Sequence, residues 1–447
     1  MPFSSINFLV LLPILLVIYW LLPTSAKRVW LLVASLIVYL AAGWSDLLLL
    51  VAVTGANWLS SVALPRSRLV PKAMIVADVA VLGWFKYRYF VGGMVGVGGA
   101  GSLIIPLGIS FYTFQLISYQ VELLRGLITR RPTFFTFFLY IFFFPHHQAG
   151  PIMRPHKFLG AFVSGRKWSS ARFRIGITIF LWGLFKKIWI ADWLMADFVS
   201  QSFRRLHESG GAEGNALLLG VVYGIQIYAD FSGYSDIAVG LGRMFGFKLD
   251  RNFHQPYVAA GPSEFWRRWH VTLSRWLRDY VYIPLGGNRG SAWRTPANLM
   301  AVMLIAGLWH GAGWNFVVWG GLHGSYLVAE RLGGRFLEKI APLKFIVFQA
   351  LFMLAWIPFR ETDLRTIWTL FSRADAWVSV QTAFAALLGF GIVVFSWLEN
   401  RLEGTFPRWG LRWRRLPDPA FALGCSLILL AVLSGATHEA VFIYQRF

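Results

Sequence analysis

Cysteine and charged residues are both scarce in this 447-residue chain. The one cysteine, Cys425, excludes an intramolecular disulfide and a zinc site built from several cysteines. Charged residues make up 14% of the sequence, whereas a soluble domain carries about 25%. Because so few charged side chains are available to face water, the composition excludes an ordinary soluble domain of this length.

The short motifs of several enzyme classes are also missing. The sequence contains no serine nucleophile elbow, no Walker loop and no HExxH zinc motif. A serine hydrolase, a P-loop nucleotidase and a zincin are therefore not indicated. Histidine remains as the strong general-base candidate in the apolar centre of the chain.

Long apolar blocks make up most of the sequence. Hydrophobic residues amount to 57%, and many of their blocks are long enough to cross, or nearly cross, a hydrocarbon core roughly 30 Å thick. We predict an all-α, polytopic integral membrane protein with about 11–13 membrane-embedded helices, in one domain over residues 1–447. Glycine-rich or charged stretches at 91–102, 201–215, 285–296, 331–339 and 409–418 are predicted to be irregular. The clearest apolar blocks are 6–22, 29–43, 47–64, 175–194, 216–228, 345–357, 383–397 and 421–433.

The net charge of +21 has two interpretations. On a soluble protein such an excess would indicate nucleic-acid binding. In a membrane protein, lysine and arginine concentrate in cytoplasmic loops and contact anionic lipid headgroups. Because the apolar blocks indicate a membrane protein, we expect membrane lipids as partners and no nucleic acid.

The first polar motif lies at 229–236, inside an apolar run. Its members Asp230, Ser232, Tyr234 and Asp236 should face the protein interior or a wet cavity, since carboxylates are costly against lipid. One hypothesis makes them a polar wall of a substrate path. The other is a break in the helix, at which these groups satisfy one another.

The second motif, SEFWRRWHVTLSRWLRDYVY, covers residues 263–282. On a helical wheel Arg267, Arg268, Arg275 and Arg278 share one arc, an aromatic and leucine arc lies roughly opposite, and His270 lies at a boundary. This pattern is typical of an amphipathic helix at a membrane interface. The arginines could anchor the helix to lipid phosphates, or they could hold a phosphate-bearing donor, because guanidinium pairs well with phosphate oxygens.

The third motif, AGLWHGAGWN, covers residues 306–315 and places His310 between two apolar blocks. Glycines at 307, 311 and 313 let another backbone or a thin ligand come close. Imidazole suits proton abstraction from a hydroxyl, although a hydrogen-bonded packing role is the alternative. Asn315 is predicted to extend the polar wall, and His323 to be structural.

The fourth motif, at 144–156, contains His146, His147 and His156. Three histidines suggest a metal site, but no nearby carboxylate or thiol completes one in the sequence. The prolines and glycine favour a rigid turn at a helix end. We therefore predict no metal here.

Several long stretches resemble one known family in the correct order. They are GYSDIAVGLGRMFGFKLDRNFHQPY, EFWRRWHVTLSRWLRDYVYIPLGG and GLWHGAGWNFVVWGGLHG, preceded by PLGISFYTFQ at 106–115 and by the stretch 144–152. Together they resemble the membrane-bound O-acyltransferases, most closely the bacterial branch that serves O-acetylation of alginate and related exported polysaccharides. The resemblance covers a motif-bearing core at about 106–326. The sequence departs from the branch at His146 and His147, whose role stays open.

The resemblance implies a helical fold around a central channel, with His310 as the essential histidine and His270 as a second functional one. It further implies acetyl-CoA (an acyl-CoA) as the donor substrate, no tightly bound cofactor, and an exported polysaccharide as acceptor. An extracytoplasmic acetyltransferase partner and a location in the bacterial cytoplasmic (inner) membrane are expected with it. The competing hypotheses are a carrier of acyl groups, which would use intramembrane Asp and His residues, and a scaffold without chemistry of its own.

Overall fold

The computed structural model describes residues 2–40, 43–63, 67–96, 105–147, 150–339, 341–377, 379–413 and 417–435. Regular secondary structure in these ranges is entirely helical, which confirms the all-α prediction. Two segments are π-helical, named here π1 and π2, and a 3₁₀ turn covers Pro256–Val258. The elements are α1 (Ile6–Leu21), α2 (Thr24–Leu40), α3 (Trp44–Ala63), α4 (Leu69–Met94), α5 (Ile109–Leu124), α6 (Phe134–Phe142), α7 (Phe144–His147), α8 (Pro155–Val163), α9 (Ser170–Phe185), π1 (Lys186–Met195), α10 (Ala196–Glu208), α11 (Ala216–Met244), α12 (Pro262–Arg268), α13 (Val271–Leu277), π2 (Arg278–Tyr282), α14 (Arg294–His310), α15 (Trp314–Lys339), α16 (Ala341–Arg360), α17 (Leu364–Ser372), α18 (Val380–Trp413) and α19 (Asp418–Leu433).

Four helical stretches in the described ranges are long and apolar enough to cross a membrane. They are Trp44–Ala63, Ala216–Met244, Leu343–Arg360 and Val380–Arg401. In the last stretch, Val380, Leu387 and Phe390 are 88%, 66% and 68% exposed, as expected for a surface whose solvent is lipid. The chain is thus a multi-pass membrane protein. The count of about 11–13 embedded helices stays a prediction, because the other helices are shorter or more polar.

Two stretches predicted to be irregular are largely helical. Helix α10 continues to Glu208, because Val199, Phe203 and Leu206 form a buried stripe at helical spacing. Helix α15 continues to Lys339 and is kinked at Gly334, where φ is +34°. The loop predictions for 201–208 and 331–339 are therefore wrong.

The chain divides into two compact units, and the first is built mainly from residues 1–181 and 234–250. Its interior is a cluster of phenylalanine rings. The ring of Phe143 lies 5.9, 5.3 and 4.9 Å from the rings of Phe158, Phe162 and Phe247. Burial of such rings contributes most of the packing energy of a core.

The second unit is built mainly from residues 182–233 and 251–412. Helices α14 and α15 form an antiparallel pair, and α15 also packs on α12 and α16. Trp319 and Trp356, from α15 and α16, are fully buried. The predicted single domain over 1–447 stays a prediction.

Small residues allow α14 and α15 to touch backbone to backbone. A Cβ added to Gly307 would overlap the carbonyl oxygen of Phe316, and one added to Gly320 would overlap the carbonyl oxygen of Met303. The predicted close approach at Gly307 is thus confirmed. Such small-residue contacts are the usual means by which membrane helices pack tightly.

Gly320→Ala should therefore destabilise the second unit by about 1–3 kcal/mol, because the added methyl group forces the two helices apart. Gly321 on the same helix is the matched control, since an added Cβ meets nothing within 4 Å there. Gly321→Ala should leave the protein as stable as the parent or stabilise it by up to about 1 kcal/mol through helix propensity. Thermal unfolding in detergent measures both variants, and equal Tm values for the two would contradict this packing.

Candidate active site

His310 is the last residue of α14, and the chain turns to extended backbone at Gly311. Its side chain is buried, with 3% exposure. The imidazole lies among three aromatic rings whose centroids are 4.9 Å (Trp309), 4.9 Å (Trp319) and 5.1 Å (Phe359) away. Three walls of the enclosure are thus apolar, which excludes bulk water from the ring.

Gly311 and Gly313 shape the turn that follows His310. A Cβ on Gly311 would overlap the ring of Phe316, and one on Gly313 would overlap the side-chain oxygen of Asn315. Only glycine therefore fits at both positions without movement of a neighbour. The groups that come close at these two glycines are side chains of the following turn, whereas the expectation of another backbone is met at Gly307.

His270 lies at a break in what the sequence predicted to be one helix over 263–282. Helix α12 ends at Arg268, and α13 begins at Val271. His270 itself has φ +40°, the left-handed region that disfavours a side chain. The break is held by long-range bonds: the Val271 N–H donates to the Asn252 carbonyl at 2.9 Å, and the Thr272 hydroxyl donates to the Asn252 side chain at 2.6 Å. The continuous-helix prediction is therefore wrong.

The break places His270 in the interior, with 0% exposure. Its ring meets the ring of Phe231 edge-on at 4.7 Å and lies 5.9 Å from the ring of Trp309. Burial lowers the pKa of His270 to about 3, so the imidazole is neutral at neutral pH. Since Trp309 also contacts His310, one indole joins the two predicted catalytic histidines.

Three of the four predicted donor-binding arginines line one pocket. Arg267, Arg275 and Arg278 are exposed and border a cavity of about 380 Å³ together with Trp266 and Ser274. Arg268 does not line it. Its guanidinium pairs with Glu264 at 2.7 Å and donates to the His254 carbonyl at 3.0 Å. The structure thus separates Arg268 from the other three.

The predicted segregation of charged and apolar side chains survives the helix break. Leu273, Trp276 and Leu277 are buried, whereas Arg275 and Arg278 are exposed. Arg278 also pairs with its neighbour Asp279 at 2.7 Å. A cationic surface therefore covers an apolar layer, as expected at a membrane interface.

Asp230 lies inside the unbroken helix α11, so the hypothesis of a helix break at 229–236 is wrong. Its carboxylate pairs with the Nζ of Lys187 at 2.6 Å, and Lys187 also pairs with Asp192 at 2.8 Å. All three side chains are at most 8% exposed. The carboxylate is thus compensated by a lysine from another element.

The other members of the predicted polar wall lie in different surroundings. Within the first unit, the Tyr234 hydroxyl accepts from the Phe3 N–H at 3.2 Å. Within the second, the Asn315 amide donates to the Pro358 carbonyl at 2.9 Å, at the end of α16. Ser232 is buried and Asp236 is partly exposed. Their role in a substrate path stays a prediction.

The sequence interpretation missed a second buried charge pair. Lys186 pairs with Glu399 at 2.8 Å, and both side chains are 1% exposed. The Tyr228 hydroxyl and the Trp182 indole also donate to this carboxylate. Both lysines begin the π-helical segment π1, a rare conformation that is frequent at functional sites. Two adjacent lysines inside the apolar block 175–194 were the signal that could have revealed the pair.

His146 and His147 are packed inside the first unit. The Nδ1 and Nε2 atoms of His146 lie 3.3 Å from the Gln115 amide and 3.1 Å from the Tyr140 carbonyl. His147 Nδ1 lies 3.3 Å from the Ile141 carbonyl, and His156 pairs with Glu122 at 3.0 Å. In the part of the chain that the structure describes, no three His, Cys, Asp or Glu residues are grouped to hold a metal ion.

Comparisons with known proteins agree with the resemblance. A family model described as "MBOAT, membrane-bound O-acyltransferase family" matches residues 109–352. The chain is 40% identical over 397 residues to the probable alginate O-acetylase AlgI of Pseudomonas aeruginosa, covering 83% of this chain and 74% of that protein. The corresponding protein of Azotobacter vinelandii is 39% identical over 398 residues, covering 83% and 77%. A peptidoglycan O-acetyltransferase of Helicobacter pylori is 34% identical over 404 residues, covering 79% and 76%.

Replacing the buried cation of the first charge cluster should be severely destabilising. Lys187→Met removes the positive charge that lies between two buried carboxylates, and we expect a loss of about 3–5 kcal/mol of unfolding free energy. Asp375→Asn is the control, because it removes one partner of an exposed pair with Arg373 and should change stability little. Denaturation of the two variants in detergent tests this, and a Lys187→Met protein as stable as the control would refute a structural ion pair.

Proposed function

The chain belongs to the membrane-bound O-acyltransferase family, and we propose that it moves an acetyl group from cytoplasmic acetyl-CoA towards hydroxyl groups of an exported polysaccharide. Acyltransferase activity follows from family membership. The observation that carries the specific proposal is the enclosure of His310 by three aromatic rings at a glycine-rich helix end. A neutral imidazole in a water-poor site is suited to accept a proton from a hydroxyl.

In the proposed reaction, the oxygen of the acceptor hydroxyl attacks the carbonyl carbon of the thioester, and His310 accepts the proton of that hydroxyl. A C–O bond forms, and the C–S bond breaks. The thiolate of CoA leaves and takes up a proton, which the protonated imidazole can return. No oxidant or reductant is required. The protein contributes by holding both reactants in one orientation away from water.

His270 is proposed to orient the donor or to assist with the proton. Its ring is neutral, fully buried and separated from His310 by the indole of Trp309. The left-handed backbone at His270 costs on the order of 1–3 kcal/mol. Such strain is retained where a side chain must point in one direction, which supports a functional position for this ring.

The cavity beside Arg267, Arg275 and Arg278 is proposed to hold the phosphates of the donor. Three guanidinium groups around about 380 Å³ offer many N–H donors in planar arrangements that match phosphate oxygens. Trp266 in the same wall offers an aromatic surface. Arg268 is left out of this proposal because it pairs with Glu264.

The acceptor and the location are inferred from the relatives. Proteins named as alginate and peptidoglycan O-acetylating enzymes are 40% and 34% identical to the chain, which supports a glycan acceptor outside the cytoplasm. A donor made in the cytoplasm and an acceptor beyond it are bridged by a protein of the bacterial inner membrane. An extracytoplasmic acetyltransferase partner is proposed to complete the transfer.

A carrier or a scaffold without chemistry is the alternative, and family membership argues against both. Asp230, one of the acids that a proton-coupled carrier would use, forms a buried pair with Lys187, and the buried Glu399 pairs with Lys186. Fixed, compensated pairs of this kind favour a static helical framework over a proton relay.

His310→Ala should lower the acetyl-transfer rate of the purified protein to background, because it removes the proposed base. His270→Ala should lower the rate strongly but not abolish it. The assay follows acetyl transfer from acetyl-CoA to a soluble model acceptor in detergent. His310→Gln tests the same role with a similar volume, in case the smaller side chain disturbs packing.

His207→Ala provides the control for both variants, because His207 is an exposed histidine on α10 that pairs with Glu361. It should transfer at the parental rate. A His310→Ala protein that folds and transfers as fast as the parent would end the proposed role of this residue.

A further inference from the structure

His323, on α15, is a buried imidazole whose ring nitrogens lack hydrogen-bond partners. It is 0% exposed, and neither Nδ1 nor Nε2 meets a partner among the residues that the structure describes. A neutral imidazole has one N–H donor and one acceptor nitrogen. Leaving such groups unsatisfied in the interior is costly, so their retention points to a partner supplied by a ligand.

The side chains that contact the His323 ring are aromatic, and none of them accepts or donates a hydrogen bond to its nitrogens within the described residues. The rings of Phe265 and Phe352 lie nearly parallel to it at 6.3 and 5.5 Å. The nearest phenol, Tyr326 at 5.7 Å, donates instead to the Leu351 carbonyl at 3.3 Å. Simple packing among phenyl rings would be served as well by a phenylalanine at this position.

Two indoles beside His323 also carry buried nitrogens without a hydrogen-bond partner among the described residues. Trp266 and Trp319 lie 5.1 and 4.6 Å from its ring and 5.8 Å from each other. Their Nε1 atoms are buried, again without a hydrogen-bond acceptor within the described ranges. Three donors and one acceptor nitrogen are therefore gathered in one small region of the second unit.

This group lies between the arginine pocket and the proposed base. Trp266 belongs to the wall of the pocket bordered by Arg267, Arg275 and Arg278. Trp319 contacts the ring of His310 at 4.9 Å. Ring contacts therefore connect the pocket to His310 through Trp266 and Trp319, and His323 lies against both indoles.

We propose that His323, with the indole N–H groups of Trp266 and Trp319, binds the amide-bearing arm that joins the phosphates of the acyl donor to its thioester. The inference rests on the proposed function, because it assumes a CoA thioester as donor. Each amide of the arm has one N–H and one C=O. The imidazole can serve both, and the indoles can serve carbonyl oxygens only. Because His323 is 0% exposed, binding of the arm requires side chains around it to move.

The test compares His323→Phe with the parent for three acetyl donors: acetyl-CoA, acetyl-pantetheine and S-ethyl thioacetate, which has no amide. For the two amide-bearing donors KM should rise about tenfold, as expected for the loss of one or two hydrogen bonds, with kcat changing much less. With S-ethyl thioacetate, the two proteins should give the same rate. Arg275→Ala should raise KM for acetyl-CoA more than for acetyl-pantetheine, which separates the phosphate contacts from the arm contacts.

Folding is checked with the same variants. His323→Phe should unfold at the parental Tm or above, because it removes unsatisfied polar groups without changing the ring shape greatly.

His323→Asn retains a donor and an acceptor and should give an intermediate KM. A parental KM for acetyl-pantetheine in His323→Phe, or an equal loss with S-ethyl thioacetate, would overturn the proposal.

Equilibrium binding of free CoA separates this proposal from the catalytic one. His323→Phe should bind CoA about tenfold more weakly than the parent, and the exposed control His207→Phe should bind it equally well. That result supports the arm site even if His310→Ala proves active. Equal affinity of the parent and His323→Phe for CoA would reject the arm site, whatever the role of His310.

Discussion

Backbone contact between α14 and α15 determines where His310 lies. Gly307 on α14 and Gly320 on α15 each face a carbonyl oxygen of the other helix, so the two helices approach more closely than side chains would allow. The short turn at Gly311 then ends α14 at His310 and directs α15 back along it. Trp319, one turn into α15, thereby meets the imidazole at 4.9 Å. The enclosure of the proposed base is thus a consequence of helix packing, which in lipid depends on close van der Waals contact rather than on exclusion of water.

Buried ion pairs connect π1 to α18 and to α11 in the same unit as this helix pair. Lys186 and Lys187, at the start of π1, pair with Glu399 of α18 and Asp230 of α11. Asp230 is followed directly by Phe231, whose ring faces His270 at 4.7 Å. Charges at membrane depth are costly unless paired, so these pairs restrict how α11 can move. They therefore help to fix the surface against which His270 is buried.

The apolar blocks predicted the helices well because each block is long enough to specify its own element. Blocks 6–22, 47–64 and 421–433 correspond to α1, α3 and α19 within a few residues. The position of His310 at a glycine-rich helix end could be predicted, because a histidine among glycines in an apolar run is unusual. The helix break at His270 could not be predicted from the sequence. It depends on hydrogen bonds to Asn252, about 20 residues away along the chain, and a helical wheel takes no account of such long-range contacts. Lys186 and Lys187 were overlooked because the mean hydropathy of their block is high. The separation of Arg268 from the other arginines depends on its pairing with Glu264.

The proposed transfer requires a thioester to reach the imidazole of His310 from the arginine pocket. A structure with a non-hydrolysable acetyl-CoA analogue bound tests this requirement most directly. We expect the phosphates beside Arg267, Arg275 and Arg278 and the carbonyl carbon of the analogue within about 4 Å of the His310 ring, as a near-attack geometry requires. An analogue bound elsewhere, with an aromatic enclosure around His310 that remains closed, would rule out this transfer.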